Sequence, residues 1–406
     1  MRVLDLSDEK GWLCGRVLAD LGAYVIKVEP PGGDMGRALG PFYHDETHPE
    51  KSLPWWAYNT SKKGITLDLK SGEGRELFRA LVKVSDILIE SFAPGYMDSL
   101  GLGYSALTRV NSGLVFTSIT PFGQTGPRRN YRASDLTLMA LGGIMFITGE
   151  PHKVPLRLCL DQSYLLGGAF AAFGTLLAYH HRQACGLGQH VDVSILECLT
   201  RLNYRDPVRW EFEGDFSRRM GNRIARGKVS QRLIWRCQDG YVSWAFREGE
   251  AGAKGTYALV QWIVKEATPG HAELEKIRWE EVDLVRLSQE DVNRWEKVVA
   301  AFFLKHSRKE LQRESLKWDL GIVEISDLKG VRRSKQLKSR NFWVNVEHPE
   351  LGETITYPGG FFLSSETENY PRNRAPLIGQ HNQEVYGELL ELNAQEIQAL
   401  SDRGII

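Results

Sequence analysis

Four ionisable groups stand at the front of one helix-forming stretch of this 406-residue chain. In PLRLCLDQSYLLGGAFAAFGTLLA, residues 155–178, they are Arg157, Cys159, Asp161 and Tyr164. A carboxylate or a thiolate can attack an electrophile, whereas a phenol of ordinary pKa, about 10, is protonated at neutral pH and attacks poorly. Cys159 has no histidine near it in sequence and reads as a small core residue. Behind this front, Gly167, Gly168, Ala169, Ala171, Ala172 and Gly174 leave little side-chain bulk over two turns. Such a helix is open to close approach, either by another backbone in tight packing or by a ligand. Further on, His180, His181, Cys185 and His190 crowd together, but adjacent histidines point to different helix faces and the spacing matches no zinc pattern. No metal site is expected.

Val3–Leu6 predicts a buried strand, Gly11–Leu21 a helix stopped by Gly22, and Tyr24–Val28 a second strand. This is the spacing of a parallel unit with a right-handed crossover. The turn Ser7-Asp8-Glu9-Lys10-Gly11 lacks GxGxxG, and its two acids would repel a pyrophosphate, which excludes the usual NAD or FAD site. The pattern repeats with strands over Gly64–Leu69, Asp86–Glu90, Leu114–Ile119 and Gln189–Val193 and a helix over Ser71–Val84. In open α/β sheets, ligands sit outside the carboxyl ends of the strands. The loops 29–37, 91–96 and 120–134 are therefore expected to line one crevice with the 155–168 front.

The length suggests two domains. A hydrophobic fraction of 42%, a charged fraction of 25% and zero formal net charge give a globular profile with no global electrostatic case for nucleic acid or a membrane surface. Five scattered cysteines fit a reducing cytoplasm. MRVLDLSDEK enters a strand pattern at once, so neither a signal peptide nor a membrane span is expected. Residues 203–232 are rich in arginine and poor in long apolar runs, and read as a solvated crossing segment. Residues 233–330 read as a smaller domain: a strand pair near 233–245, then amphipathic helices near 255–267, 289–305 and 308–317. Strands are expected within 342–364 and a helical tail over 383–402.

Several stretches, in order, carry a family resemblance: RVLDLS (2–7), LADLGAYVIKVEPPGGDMGR (18–37), NTSKKGITLDLKSGEGR (59–75), ESFAPGYMDSLGLGYSAL (90–107), SITPFGQTGPRRNYRASD (118–135), GAFAAFGTLLAYHHRQACGLGQHVDVSILE (168–197) and NRAPLIGQHNQEV (373–385). The chain resembles the family III CoA-transferases, the group of formyl-CoA, carnitine and bile-acid-inducible transferases. The resemblance implies an α/β fold. Its Rossmann-like large domain is formed by both chain ends (1–202 and 331–406), joined through the crossing linker 203–232 to the α+β middle domain 233–330. It also implies a ring-like interlinked dimer. CoA and acyl-CoA are then substrates, with no permanently bound cofactor. Arg37, Phe92, Pro94, Gly95 and Arg132 fit a CoA-binding crevice.

The family chemistry uses one Asp. Its carboxylate attacks an acyl-CoA thioester to give a mixed anhydride and CoA thiolate; the thiolate re-attacks to leave an enzyme–CoA thioester, from which the acceptor carboxylate takes CoA. Both enzyme-bound species stay activated, which a hydroxyl nucleophile would not allow. The family Asp lies four residues before the Gly of GxxAAxG, here Gly168, and that position holds Tyr164. Asp161 is three residues early, about one helical turn or roughly 4.5 Å away. Lys10, Ser91 and Ser99 also depart from the family's CoA contacts. Within the family the chain looks like the Asp-lacking subunit of the succinyl-CoA:(R)-benzylsuccinate CoA-transferase group, of anaerobic toluene breakdown. Its expected partner is a paralogous family III subunit that carries the Asp. An active transferase using Asp161, and a non-enzymatic acyl-CoA-binding protein, are the alternatives.

Overall fold

Short runs rich in Val, Ile and Leu build the six strands of a parallel sheet: β1 (Arg2–Asp5), β2 (Tyr24–Glu29), β3 (Lys63–Thr66), β4 (Ile87–Glu90), β5 (Val115–Thr120) and β6 (His190–Ser194). The computed structural model describes residues 1–406 apart from the side chains at 250 and 251. Strand order is β3-β2-β1-β4-β5-β6, so the winding direction reverses between β1 and β4. This is the doubly wound order of the mixed α/β fold, and the reversal opens a crevice at the carboxyl ends of those two strands.

Both faces of the sheet are buried, as a parallel sheet requires. Val3, Ile87, Val115 and Ile119 face one core with the helices Trp12–Asp20 and Gln162–Cys185. Leu4, Leu88 and Phe116 face the other, with Phe78 and Leu81 of the helix Gly72–Lys83. The chain end returns to this second core through Val385, Tyr386, Leu400 and Ile406. Ser71 and Ser194 cap their helices by accepting from Gly74 N–H and Glu197 N–H, so local chemistry sets where these helices start.

The small-residue stripe is a packing device. A Cβ on Gly168 would stand 3.0 Å from Leu13 Cβ and 3.3 Å from Cys14 N, and one on Gly167 would stand 2.8 Å from Ile195 Cγ1. The close approach is thus by two neighbouring helices and not by a ligand.

The chain divides into two compact units, residues 1–145, 157–216 and 336–406 in one and 146–156 with 217–335 in the other. The second unit contains an antiparallel sheet of Ile234–Cys237, Gly240–Ser243 and Val323–Glu324 under the helices Gly249–Lys265, Gln289–Phe303 and Arg308–Trp318. Trp235, Trp244, Phe246, Trp279 and Trp295 fill its core. The segment 203–232 is exposed along most of its length, as its composition suggests. The segment folds as a helix, Arg205–Glu213, and a hairpin, Arg223–Arg226 with Val229–Arg232. The helix exposes Val208, Trp210 and Phe212.

Buried ion pairs tie the strand ends under the crevice. Lys62 Nζ donates to Asp5 Oδ2 at 2.8 Å, with neither side chain exposed. Lys27 Nζ reaches Asp34 at 3.1 Å and donates to the Ser7 carbonyl. Burial alone would raise the Asp5 carboxyl, but Lys62 and Lys27 outweigh it and hold Asp5 below the ordinary carboxylate range. Removing one partner of a buried pair leaves an uncompensated charge, which costs about 3–5 kcal/mol. Lys62→Ala should therefore lower the unfolding free energy by an amount in that range, read as a lower urea midpoint at an unchanged slope, whereas a loss below about 1 kcal/mol would show the pair to be dispensable.

Candidate active site

Three turns leaving strand ends are stitched together at the switch point. Asp8 N donates to Ser91 Oγ at 2.8 Å, and Ser91 Oγ donates to Asp8 Oδ1 at 2.7 Å. This pair joins the turn after β1 to the turn after β4. Lys10 pairs with Asp8. The loop after β2 is held from beneath by Arg37, which donates to Glu29 Oε2 and Glu50 Oε2 at 2.6 Å, and to Glu29 Oε1 at 2.8 Å and the Pro376 carbonyl at 2.9 Å. Its guanidinium lies 3.9 Å over the Trp55 ring and is buried.

These turns, with residues 67–70 after β3, enclose a cleft of about 590 Å³ whose wall includes Asp8, Glu9, Gly36, Leu69, Lys70, Phe92 and Tyr96. Phe92 packs on Tyr96 with ring centroids 4.8 Å apart. A second cavity, of about 430 Å³, is lined by Glu90, Pro94, Gly95, Ser118, Gln124, Arg129 and His190. The expected single crevice is thus two, and no described residue of 155–168 lines either one. Of the five expected CoA contacts, Phe92 lines the first cavity, and Pro94 and Gly95 the second. Arg37 is a layer below the first. Arg132 is exposed and makes no hydrogen bond or ion pair among the described residues.

Tyr164 occupies the first turn of the helix Gln162–Cys185 and is 9% exposed. Burial pushes its phenol far above the ordinary value, and Glu9, Asp8, Asp135 and Asp161 add to the rise in that order. Among the described residues its hydroxyl has no hydrogen-bond partner. Asp161 is exposed at the N-cap position and its side chain makes no capping bond; burial and Asp135 raise its carboxyl, against Arg157. Cys159, read from sequence as a core residue, is exposed.

Two residues escaped the sequence reading. Asp135 is buried, and its Oδ1 accepts from Ser163 N at 2.9 Å and Ser163 Oγ at 2.6 Å, while Oδ2 has no partner among the described residues. It thereby fixes the turn that presents Tyr164. The Ser134-Asp135-Leu136-Thr137 capping box was its only local signal, and it marks a helix start rather than a site. Glu90 ends β4 and accepts from Phe92 N at 2.7 Å. Burial, only partly offset by Ser118 and the Phe92 N–H, pushes its carboxyl up to about 7.

The family model described as CoA-transferase family III matches residues 1–382. The chain belongs to CoA-transferase family III. It is 34% identical over 388 residues to the succinyl-CoA:(R)-benzylsuccinate CoA-transferase subunit BbsE of Thauera aromatica, covering 95% of this chain and 93% of that one. It is 32% identical over 409 residues to the succinyl-CoA–D-citramalate CoA-transferase of Chloroflexus aurantiacus, covering 100% and 97%. The crystal structure of a CAIB/BAIF family protein from Brucella suis superposes with a TM-score of 0.81 at 28% identity, covering 96% of this chain and 98% of that one. Relatives of this family III chain thus include CoA-transferases named for succinyl-CoA. No helix among the described residues is long and apolar enough to cross a membrane.

The raised Glu90 carboxyl has a sign-defined consequence. Between its ordinary value of 4.5 and about 7, the unfolded chain is ionised while the folded chain keeps the proton. Stability therefore falls as pH rises through that window, by roughly 3 kcal/mol at most. Glu90→Gln, which keeps an acceptor for Phe92 N–H, should match the parent at pH 5 and be about 1–3 kcal/mol more stable at pH 8 by urea unfolding. Equal stability at both pH values would contradict the assignment.

Proposed function

We propose that this family III chain is the non-nucleophilic subunit of a heteromeric CoA-transferase. The enzyme would move CoA from succinyl-CoA to a carboxylic acid of the substituted-succinate class, (R)-benzylsuccinate being the candidate that its likeness to BbsE supports. The observation that carries the reading is Tyr164. A phenol stands at the family's Asp position, in the field of Asp8, Glu9, Asp135 and Asp161, which disfavours the phenolate further. A protonated phenol is a poor nucleophile toward a thioester, and Tyr has no carbonyl on which CoA could be held as a thioester. The Asp that forms the mixed anhydride and the CoA thioester would come from the paralogous partner chain. In this chain the 590 Å³ cleft would take CoA, with Phe92 on its wall and Arg37 holding its loop.

The heteromer is supported by an apolar face. Phe170, Phe173 and Leu177 recur along one side of the helix Gln162–Cys185 and are 37%, 61% and 54% exposed. Leu202, Tyr204, Val208 and Phe212 are exposed in the same unit. Faces of this kind mark protein–protein contacts. The occupant proposed is the second family III chain, in the interlinked arrangement.

A second reading, turnover through Asp161, is favoured by its exposed carboxylate, which carries no capping bond. Co-expression with a family III chain carrying Asp in the Gly168 frame separates the two. The isolated chain should show no CoA transfer between succinyl-CoA and a substituted succinate, and the co-purified complex should turn over. In the complex, Asp161→Asn should stay within about tenfold and Tyr164→Phe should be nearly silent. Turnover by the isolated chain, abolished by Asp161→Asn, would establish the second reading instead.

A further inference from the structure

At the amino end of β3, the end away from the cleft, lies a cavity of about 450 Å³. Its walls come from Ser61–Lys63, from residues 345–349, and from Arg372–Arg374 with Gln380 and His381. It is rich in donors that make no bond within the chain. Asn345 spends Oδ1 on the Thr356 hydroxyl at 3.0 Å, which leaves Nδ2. Gln380 spends Oε1 on Leu377 N and Arg374 Nη1, both at 3.0 Å, which leaves Nε2. Arg374 commits Nε to Glu350 at 2.6 Å and Nη1 to the Ala375 carbonyl at 2.7 Å, which leaves Nη2. His381 Nδ1 accepts from Gly64 N–H at 3.0 Å, so the proton of the neutral ring sits on Nε2 and makes it a donor. The Asn373 amide nitrogen is the fifth. Among the described residues none of these five donors has a partner.

Open side-chain acceptors are fewer: Glu347 supplies the one carboxylate on the wall among the described residues, beside the Asn373 amide oxygen. Lys63 and Arg372 also line the cavity; Lys63 is paired with Glu384 at 2.8 Å, and Arg372 Nη1 is bonded to the carbonyls of Ala19 and Asp20 at 3.3 Å. Burial depresses His381, and the positive charges of Lys63 and Arg374 depress it further. The wall therefore favours a ligand that is anionic and dense in acceptor oxygens.

We propose that this cavity binds the phosphoryl group of a small phosphorylated molecule. A carboxylate offers two oxygens and about four acceptor positions, fewer than the five open donors. A phosphoryl group brings three strong acceptor oxygens and up to two negative charges, and its bonds to Arg374 are charge-assisted. The volume exceeds that of a lone phosphate, which leaves room for the group's organic body. The site rests on residues separate from those assigned to CoA, so it stands or falls apart from the transferase reading.

The probe is inorganic pyrophosphate, titrated calorimetrically into the full chain at low ionic strength, with succinate as the carboxylate control. Asn373→Asp and Gln380→Glu each replace an open donor by an acceptor while keeping the side-chain shape and every hydrogen bond the fold uses. Each should weaken pyrophosphate at least about tenfold with the melting temperature unchanged. Binding should also move the His381 imidazole titration, followed by NMR, to higher pH, because a bound anion favours the imidazolium. Absence of pyrophosphate binding, equal binding by both variants, or succinate bound as tightly would each overturn the proposal.

Discussion

Everything at the switch point depends on charges that have been taken out of water and can survive there only in pairs. Asp5 with Lys62, Lys27 with Asp34, and Arg37 with Glu29 and Glu50 form one layer beneath the cleft. None of these loops can shift without leaving a buried charge unmatched, and such a charge costs several kcal/mol. The layer therefore determines the shape of the cleft. It also explains why Arg37, whose three donor nitrogens are all spent on protein acceptors, acts on the cleft through the loop it anchors and not by touching its contents.

Above that layer the charges near Tyr164 are of one sign. Asp8, Glu9, Asp135 and Asp161 surround Tyr164, and Lys10 is already committed to Asp8. An additional carboxylate at this position would be one more like charge in a half-desolvated cluster, and its pKa would rise accordingly. A neutral phenol adds no charge. Tyr164 is thus compatible with its surroundings in a way that an ionised nucleophile would not be without further change nearby.

The strands and most helices were legible because their signals are local. Valine- and isoleucine-rich runs such as DILIE close at turn residues, and Ser71 and Ser194 cap their helices within three residues. The family resemblance around Gly168 also points to Tyr164 and Asp161. What escaped depends on packing between distant segments. The small-residue stripe could not declare that helix Trp12–Asp20 would press on Gly168. Nothing local to Cys159 marks it as exposed, and nothing in the arginine-rich composition of 203–232 shows that Val208 and Phe212 would stand out from a helix. The single crevice failed because the 91–96 turn, stitched to Asp8 through Ser91, stands between two cavities. The buried roles of Asp135 and Glu90 were equally hidden, since each is defined by residues 28 positions away or on another strand.

Under the proposed function this chain carries no covalent intermediate. The most direct test is to trap the complex with succinyl-CoA and hydroxylamine or borohydride, digest it, and locate the modified carboxylate by peptide mass spectrometry. The modification is expected on the Asp of the partner chain, with none within residues 155–178 of this one. A modified Asp161 would contradict that function and would make this chain the nucleophilic subunit.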